Sequence, residues 1–351
     1  MATERKIRVL IVDDTPIVRK LMVRMLGEDP VISVAGTASD PYEAARLIAR
    51  EVPDVITLDI EMPRMNGLTF LRKLMNQYPV PVVIVSSFLA QNRELGIKAL
   101  SLGAAGIVTK PVSGKPEEME HFRIQLLEAV RAASAQNMSV LRMLKKRLRI
   151  SERTYLNVMA VKPGMEKLIL IGASTGGTEL IATMLKSVRA DLPPVLIVQH
   201  MPGEFTGIFA QRLNSESTLT VKEAEKNEIL ENGHVYIANG FYHLVVRKMA
   251  NYYVCDLKDG ELVNLHRPSV DVLFHSAADF ASENVMAILL TGMGTDGAKG
   301  LLELKNKGAV CIAQDEKSCV VYGMPKEAVL LKAVNLIGTP EKIIEWMNNF
   351  V

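Results

Sequence analysis

The chain lacks a disulfide framework. Its three cysteines, Cys255, Cys311 and Cys319, are too few to staple a fold, which fits a reducing compartment. It lacks long hydrophobic runs. No stretch approaches the ~18 uncharged apolar residues of a membrane span. The start, MATERKIRVLIV, has no long apolar core and runs straight into a strand-like segment, so no signal peptide is expected. It lacks an excess of either charge. The 41 Lys and Arg residues face 39 Asp and Glu, a net +2, so no global field draws nucleic acid or an anionic membrane. With 48% apolar and 23% charged residues it is too hydrophobic for a disordered chain. A soluble, cytoplasmic protein is expected. At roughly 150 residues per domain, its length suggests two domains or one large one.

What is present is a repeated alternation of short apolar runs and amphipathic stretches. Strand-like runs are Ile7–Val12, Val31–Ala35, Val55–Leu58, Val82–Val85 and Ile107–Val108. Helix-like stretches between them include Val18–Leu26, Ala44–Glu51 and Leu68–Met75, and Glu117–Ala133 closes the series. This pattern predicts buried parallel strands in βαβ units. A second series begins at Lys167, with runs Leu168–Ile171, Val195–Val198, Val235–Ala238, Met286–Leu290 and Val310–Ile312. A hairpin, His243–Arg247 with Tyr252–Leu257, interrupts it, and Asp259-Gly260 marks a further turn. The expected fold is α/β, two doubly wound parallel-sheet domains over residues 5–133 and 167–351. Residues 134–166 are expected to form a linker. Within it Arg142–Arg153 carries six basic residues and one acid, on a pattern predicting a basic amphipathic helix.

In the first half, chemistry-bearing residues follow successive strands. Asp13 and Asp14 follow the first, Asp59 the third, Ser86 and Ser87 the fourth, and Lys110-Pro111 the fifth. Ligands of parallel sheets bind beyond the carboxyl ends of the strands, so these residues converge on one edge. Three carboxylates suit a hard cation such as Mg²⁺. Metal and Lys110 together would neutralise an incoming phosphoryl group, with Asp59 as its nucleophile and Ser86 offering a hydroxyl.

The second half carries Gly172-Ala173-Ser174-Thr175-Gly176, a G-x-S-x-G turn between a strand and a helix. Small flanking residues permit the sharp turn that lifts a serine oxygen clear of a sheet. His200 ends the next strand. Asp296 lies in Thr291–Gly297, after the run Met286–Leu290. Three strand ends thus offer a nucleophile, a base and an orienting carboxylate. Their order, Ser-His-Asp, differs from that of α/β-hydrolases. The same loop reads literally as a dinucleotide fingerprint, Gly292-x-Gly294-x-x-Gly297, with Asp315 after the next strand. Asp296 inside that loop would repel a pyrophosphate, and too little chain follows for a nucleotide-binding sheet.

The strings LIVDDTPIVRKLM, DVITLDIEMPRMNGL, VVIVSS and AAGIVTKP resemble a response-regulator receiver domain, a flavodoxin-like fold. GASTGG, VLIVQHMP, HRPSVDVLF and LLTGMGTDGAKGL resemble the Rossmann-like catalytic domain of chemotaxis protein-glutamate methylesterases, the CheB family. The receiver resemblance implies phosphorylation at Asp59 by a histidine kinase. It also implies Mg²⁺ held by Asp13, Asp14 and Asp59 with a backbone carbonyl near Glu61, a switch hydroxyl at Ser86 and a phosphate-binding Lys110. Many receivers have an aromatic residue three positions before the lysine, where this chain has Ile107. The esterase resemblance implies a triad of Ser174, His200 and Asp296. It also implies an oxyanion hole from the Thr175 and Met293 N–H groups, a site lined by His266–Asp271, and no cofactor there. The implied activity is removal of methyl groups from chemoreceptor glutamates, and deamidation of glutamines, during chemotactic adaptation. A DNA-binding regulator reading through Arg142–Arg153 finds no helix-turn-helix pattern, so no nucleic-acid partner is expected. The intact triad argues against a binding module that has lost catalysis.

Overall fold

The computed structural model describes residues 5–87, 89, 92–111, 113–147 and 167–350. They fall into two compact units, divided between Met138 and Ser139.

The first unit alternates strand and helix without exception: β1 (Ile7–Val12), α1 (Pro16–Gly27), β2 (Ile32–Ala38), α2 (Pro41–Arg50), β3 (Val55–Leu58), α3 (Gly67–Gln77), β4 (Val82–Ser86), α4 (Arg93–Leu102), β5 (Gly106–Thr109) and α5 (Pro116–Ser134). The five strands pair in parallel in the order β2-β1-β3-β4-β5. This is the flavodoxin-like winding. Every residue of β3 and β4 is buried, because helices cover both faces of a parallel sheet. Helices α1, α2 and α5 open on proline, which at the first turn costs no hydrogen bond. Asp40 caps α2 by accepting from Tyr42 and Glu43 N–H. Val12 pairs with Leu58, and Ser86 with Thr109. That register carries Asp13, Asp59, Ser86 and Lys110 to the same edge.

Helix α6 (Met138–Arg147) follows α5 closely. The expected basic helix is present but starts earlier than read. The helix begins four residues before Arg142, and Val140 and Leu141 are buried. The rest of the basic stretch, from residue 148, lies outside the described residues.

The second unit begins its sheet with β6 (Leu168–Ala173), α7 (Gly177–Leu185), β7 (Val195–Gln199) and α8 (Gly203–Glu216). Then come β8 (Thr220–Glu223), β9 (Glu228–Ile229), β10 (His234–Ile237), β11 (His243–Lys248), β12 (Tyr253–Lys258) and α9 (Val270–Ala277). It closes with β13 (Val285–Leu289), α10 (Ala298–Asn306), β14 (Val310–Gln314), α11 (Met324–Leu330), β15 (Leu336–Gly338) and α12 (Pro340–Asn349). Seven parallel strands take the order β15-β14-β13-β6-β7-β10-β8. The chain leaves β6 toward β7 on one side and later returns to β13 on the other. The switch of direction therefore lies between β13 and β6, where open α/β sheets place their sites. The hairpin β11–β12 joins β9 in a separate antiparallel sheet. The main core packs Leu168, Leu170, Leu196 and Val198 with Leu273 and Phe274 of α9 and Leu301 and Leu304 of α10. Burying each such side chain is worth about 1.5–3 kcal/mol. Strands β8 and β15 were not expected from the sequence. They are the two edges of the seven-stranded sheet, short and partly exposed: β8 has a single strongly apolar residue, Val221, and the apolar run of β15 is only three residues long.

Candidate functional site

In the first unit, Asp13, Asp14 and Asp59 each direct a carboxylate oxygen to a common point, all within 4.8 Å. Asp13 and Asp59 are buried and Asp14 is exposed. Gly67 makes the Asp59 turn possible: a Cβ there would collide with the Asp59 carbonyl oxygen. Asp59 Oδ1 accepts from the Ile60 N–H at 2.7 Å, and Oδ2 accepts from Lys110 Nζ at 2.6 Å. Lys110 Nζ also lies 2.6 Å from Asp13 Oδ2. That second approach is an ion pair without hydrogen-bond alignment, and Asp13 Oδ2 is left buried with no hydrogen-bond partner. Burial raises the Asp13 carboxyl above its ordinary value, although Lys110 pulls the other way. Burial lowers the Lys110 ammonium, but the two carboxylates outweigh it and the net shift is upward. Ser86, Ser87, Glu61 and Lys110 line one pocket of about 440 Å³ with Asp14 and Asp59. Three carboxylate oxygens converging on one point fit a hard divalent cation.

In the second unit, Ser174 follows β6 directly, with its N–H on the Thr291 carbonyl at 3.0 Å. Gly292 backs onto it: a Cβ on Gly292 would lie 2.8 Å from Ser174 Cβ. The loop after β13 therefore touches the serine turn only because position 292 has no side chain. Among the described residues, neither the Thr175 nor the Met293 N–H donates a hydrogen bond.

His200 follows β7, the strand paired to β6, and its N–H donates to the Ala173 carbonyl at 3.0 Å. Gln199 is buried behind it. Its amide donates to the Ser174 carbonyl at 2.9 Å and the His200 carbonyl at 3.1 Å, tying the two turns together.

Asp296 is buried and heavily solvated by protein. Its Oδ2 pairs with His200 Nε2 at 2.9 Å and accepts from the Val270 N–H at 2.6 Å. Its Oδ1 accepts from Ser269 Oγ and Asn264 Nδ2, each at 2.7 Å, and from the Asp271 N–H at 3.2 Å. Burial alone would raise this carboxyl. The bonds from His200, Asn264 and Ser269 outweigh it and hold the group well below the usual carboxylate range. An ionised Asp296 can only accept, so the His200 proton sits on Nε2 and the lone pair on Nδ1. That Nδ1 is buried and without a hydrogen-bond partner. The imidazole is thus turned over relative to the familiar template, in which Nδ1 faces the carboxylate. No hydrogen bond joins Ser174 Oγ to either His200 nitrogen. The His266 ring stacks on His200, centroids 3.8 Å apart. Burial first, and His200 second, push His266 down to about 3.

The sequence profile of the CheB methylesterase family matches residues 169–347, and that of the response regulator receiver domain matches 9–121. A relative from Geobacter metallireducens, named protein-glutamate methylesterase/protein-glutamine glutaminase 3, is 46% identical over 334 residues. The match covers 93% of each chain. This chain belongs to the CheB methylesterase family. A relative from Syntrophus aciditrophicus, named protein-glutamate methylesterase/protein-glutamine glutaminase 2, is 47% identical, covering 95% of both chains. The crystal structure of the Thermotoga maritima CheB methylesterase catalytic domain is 38% identical, with a TM-score of 0.51. It covers 53% of this chain and 98% of that one. The expected α/β architecture of a receiver followed by a CheB catalytic domain therefore stands.

The dinucleotide reading of Gly292–Gly297 fails physically, since Asp296 fills that loop with a buried carboxylate and Gly292 presses on Ser174. Sequence reasoning named His200 and Asp296 and expected His266–Asp271 to line the site, which holds Ser269 and the first N–H groups of α9, but it missed Asn264 and gave none of these groups a role on Asp296. It also missed Gln199. Ser269 was legible as the N-cap of α9, three residues ahead of the Val272 N–H it caps. Among the described residues, no helix is long and apolar enough to cross a membrane.

Proposed function

We propose that this chain is a phosphorylation-controlled esterase that hydrolyses glutamate methyl esters on chemoreceptors and deamidates their glutamines. The observation that carries this reading is the buried, unpartnered Nδ1 of His200, held by Asp296 on the turn next to Ser174. His200 Nδ1 takes the proton of Ser174 Oγ as that oxygen attacks the ester carbonyl carbon. Negative charge forms on the carbonyl oxygen, and the free N–H groups of Thr175 and Met293 stabilise it. The carbon–oxygen bond to methoxide breaks, and His200 returns its proton to release methanol. Water, deprotonated by the same nitrogen, then attacks the glutamyl-serine ester, and Ser174 leaves as the alcohol. A glutamine follows the same route with ammonia as the leaving group. Asp296 stabilises the imidazolium throughout. No cofactor is needed in this site.

In the receiver, Asp59 attacks the phosphorus of a phosphohistidine on a chemotaxis-type kinase and displaces the imidazole. Asp13, Asp14 and Asp59 would hold Mg²⁺, which supplies charge neutralisation at the phosphoryl oxygens. Lys110 neutralises a further oxygen, and Ser86 donates its hydroxyl to the new phosphate. Phosphorylation would shift the receiver between two states of different interactions and so relieve restraint on the catalytic unit. The reading places the protein in the cytoplasm, beside receptors it acts on without entering the membrane. The test is methanol release from methyl-esterified receptor by the full chain, with and without acetyl phosphate and Mg²⁺. Release stimulated by the phosphodonor supports the reading. No release under either condition overturns it.

A further inference from the structure

The turn Val263–His266 is the least expected element near Asp296. Val263 and His266 exchange both backbone hydrogen bonds, at 3.0 and 2.9 Å. The two residues between them both have positive φ, Asn264 at 52° and Leu265 at 68°. Such a two-residue turn ordinarily uses Asn-Gly. Leucine in the second place holds the backbone in a conformation that side chains with a Cβ disfavour. Strain of this kind persists where the surrounding structure holds it in place.

Here the turn places two groups at once. It lays His266 on the His200 ring, and it sends the Asn264 amide between two buried acids. Asn264 Nδ2 donates to Asp296 Oδ1 at 2.7 Å and to Asp271 Oδ2 at 2.8 Å. Both amide hydrogens are thereby used, one on each carboxyl. Asp271 is otherwise fixed by the Gly300 N–H, on Oδ1, at 2.7 Å. Asp271 sits where burial raises its carboxyl, with Asp296 adding to the rise. The titratable groups facing Asp296 are His200, His266 and Asp271, with His275 acting on Asp271 from the far end of α9.

We infer that Asn264 is a positioning residue that sets the basicity of His200 through Asp296. It fixes the carboxylate rotamer that meets Nε2, and its dipole offsets part of the negative field of the Asp271–Asp296 pair. Without it, the less neutralised Asp296 holds the imidazolium more tightly, and the acidic limb of the reaction moves to higher pH. The inference rests on the triad reading given above.

The test is the pH dependence of methanol release by the full chain acting on methyl-esterified receptor. Asn264→Gly accepts the positive φ and removes the amide alone. It should lower kcat by about tenfold with KM nearly unchanged, and move the acidic limb of kcat/KM to higher pH by roughly half a unit. Asn264→Asp keeps the turn, since aspartate tolerates positive φ, but replaces a donor with a third carboxyl. It should move the limb further in the same direction. A superimposable profile for Asn264→Gly, or a fall in kcat with an unmoved limb, would overturn the inference and leave Asn264 a turn residue. Ser174→Ala is assayed beside them. If it retains wild-type release, the triad reading itself fails. If it is inactive while both Asn264 variants keep the wild-type limb, only the inference fails.

Discussion

Asp59 and Asp296 are both buried aspartates at the carboxyl ends of parallel strands, yet their surroundings are opposite. Around Asp59, three acids converge on one point, and only two of them, Asp13 and Asp59, meet the single ammonium of Lys110. Around Asp296, five donors converge on one carboxylate. The first arrangement holds more carboxylates than its one ammonium offsets, the excess that Mg²⁺ would balance on the proposed reading. The second is complete and resists change. Each Asp59 oxygen has one donor whereas those of Asp296 have two and three, so the donor count separates a carboxylate open to a new partner from one that is fully held. Residue type and position in the sheet do not distinguish them.

Asp296→Asn should break the comparison most severely. An amide can present its own N–H to His200 Nε2 and so force the proton to Nδ1, where the base is needed. Methanol release should fall by roughly 10⁴ while the fold is kept. A loss of less than tenfold would mean that the donors around Asp296 serve structure only. Asp59→Asn should remove stimulation by acetyl phosphate with Mg²⁺. Coupling of this kind is typically about 5–150-fold. Stimulation that survives the substitution would place the control elsewhere.

These predictions rest on residues the sequence makes visible, because each directly follows a buried strand. Central parallel strands are covered on both faces, so β1, β3, β6, β7 and β13 read as plain apolar runs and their next residues can be aligned on one edge. The edge strand β8 carries no such run, and that of β15 is too short to stand out. Asn264 was invisible for a different reason. Its turn has leucine where glycine would announce it, and its partners lie 7 and 32 residues away in sequence. The orientation of the His200 ring was likewise illegible, since nothing local to VQHMP says which nitrogen meets Asp296.

Stability should sharpen the contrast, with opposite signs in the two units. The Asp13 carboxyl is raised in the folded state. Its contribution is therefore present in full below the unfolded value and lost as pH rises through the folded one. Asp296 is lowered, so its contribution is present above the unfolded value and lost as pH falls toward the folded one. At pH 7, Asp13→Asn should raise the melting temperature of the first unit by about 2–4 °C and Asp296→Asn should lower that of the second. Calorimetry of the full chain resolves the two. Matching signs would contradict the donor count. Mg²⁺ should raise the first transition in the wild type and do so less in Asp13→Asn.

The smallest expected effect belongs to His266. Its folded value of about 3 lies below the ordinary histidine value, so between them the unfolded chain binds more protons. Stability of the second unit should decline as pH drops from 7 to 5, and His266→Gln should decline less. Urea midpoints at the two pH values measure it, and equal declines would mean that His266 is not held neutral.

The central claim is that Ser174 is the nucleophile of a glutamate methylesterase. The direct measurement is methanol release from methyl-esterified receptor by the wild-type chain and by Ser174→Ala, at equal concentration and with circular dichroism confirming both are folded. A fall on the order of 10⁴–10⁶ in rate is predicted. A variant that keeps a tenth of the wild-type rate would reduce Ser174 to a turn residue and contradict the account.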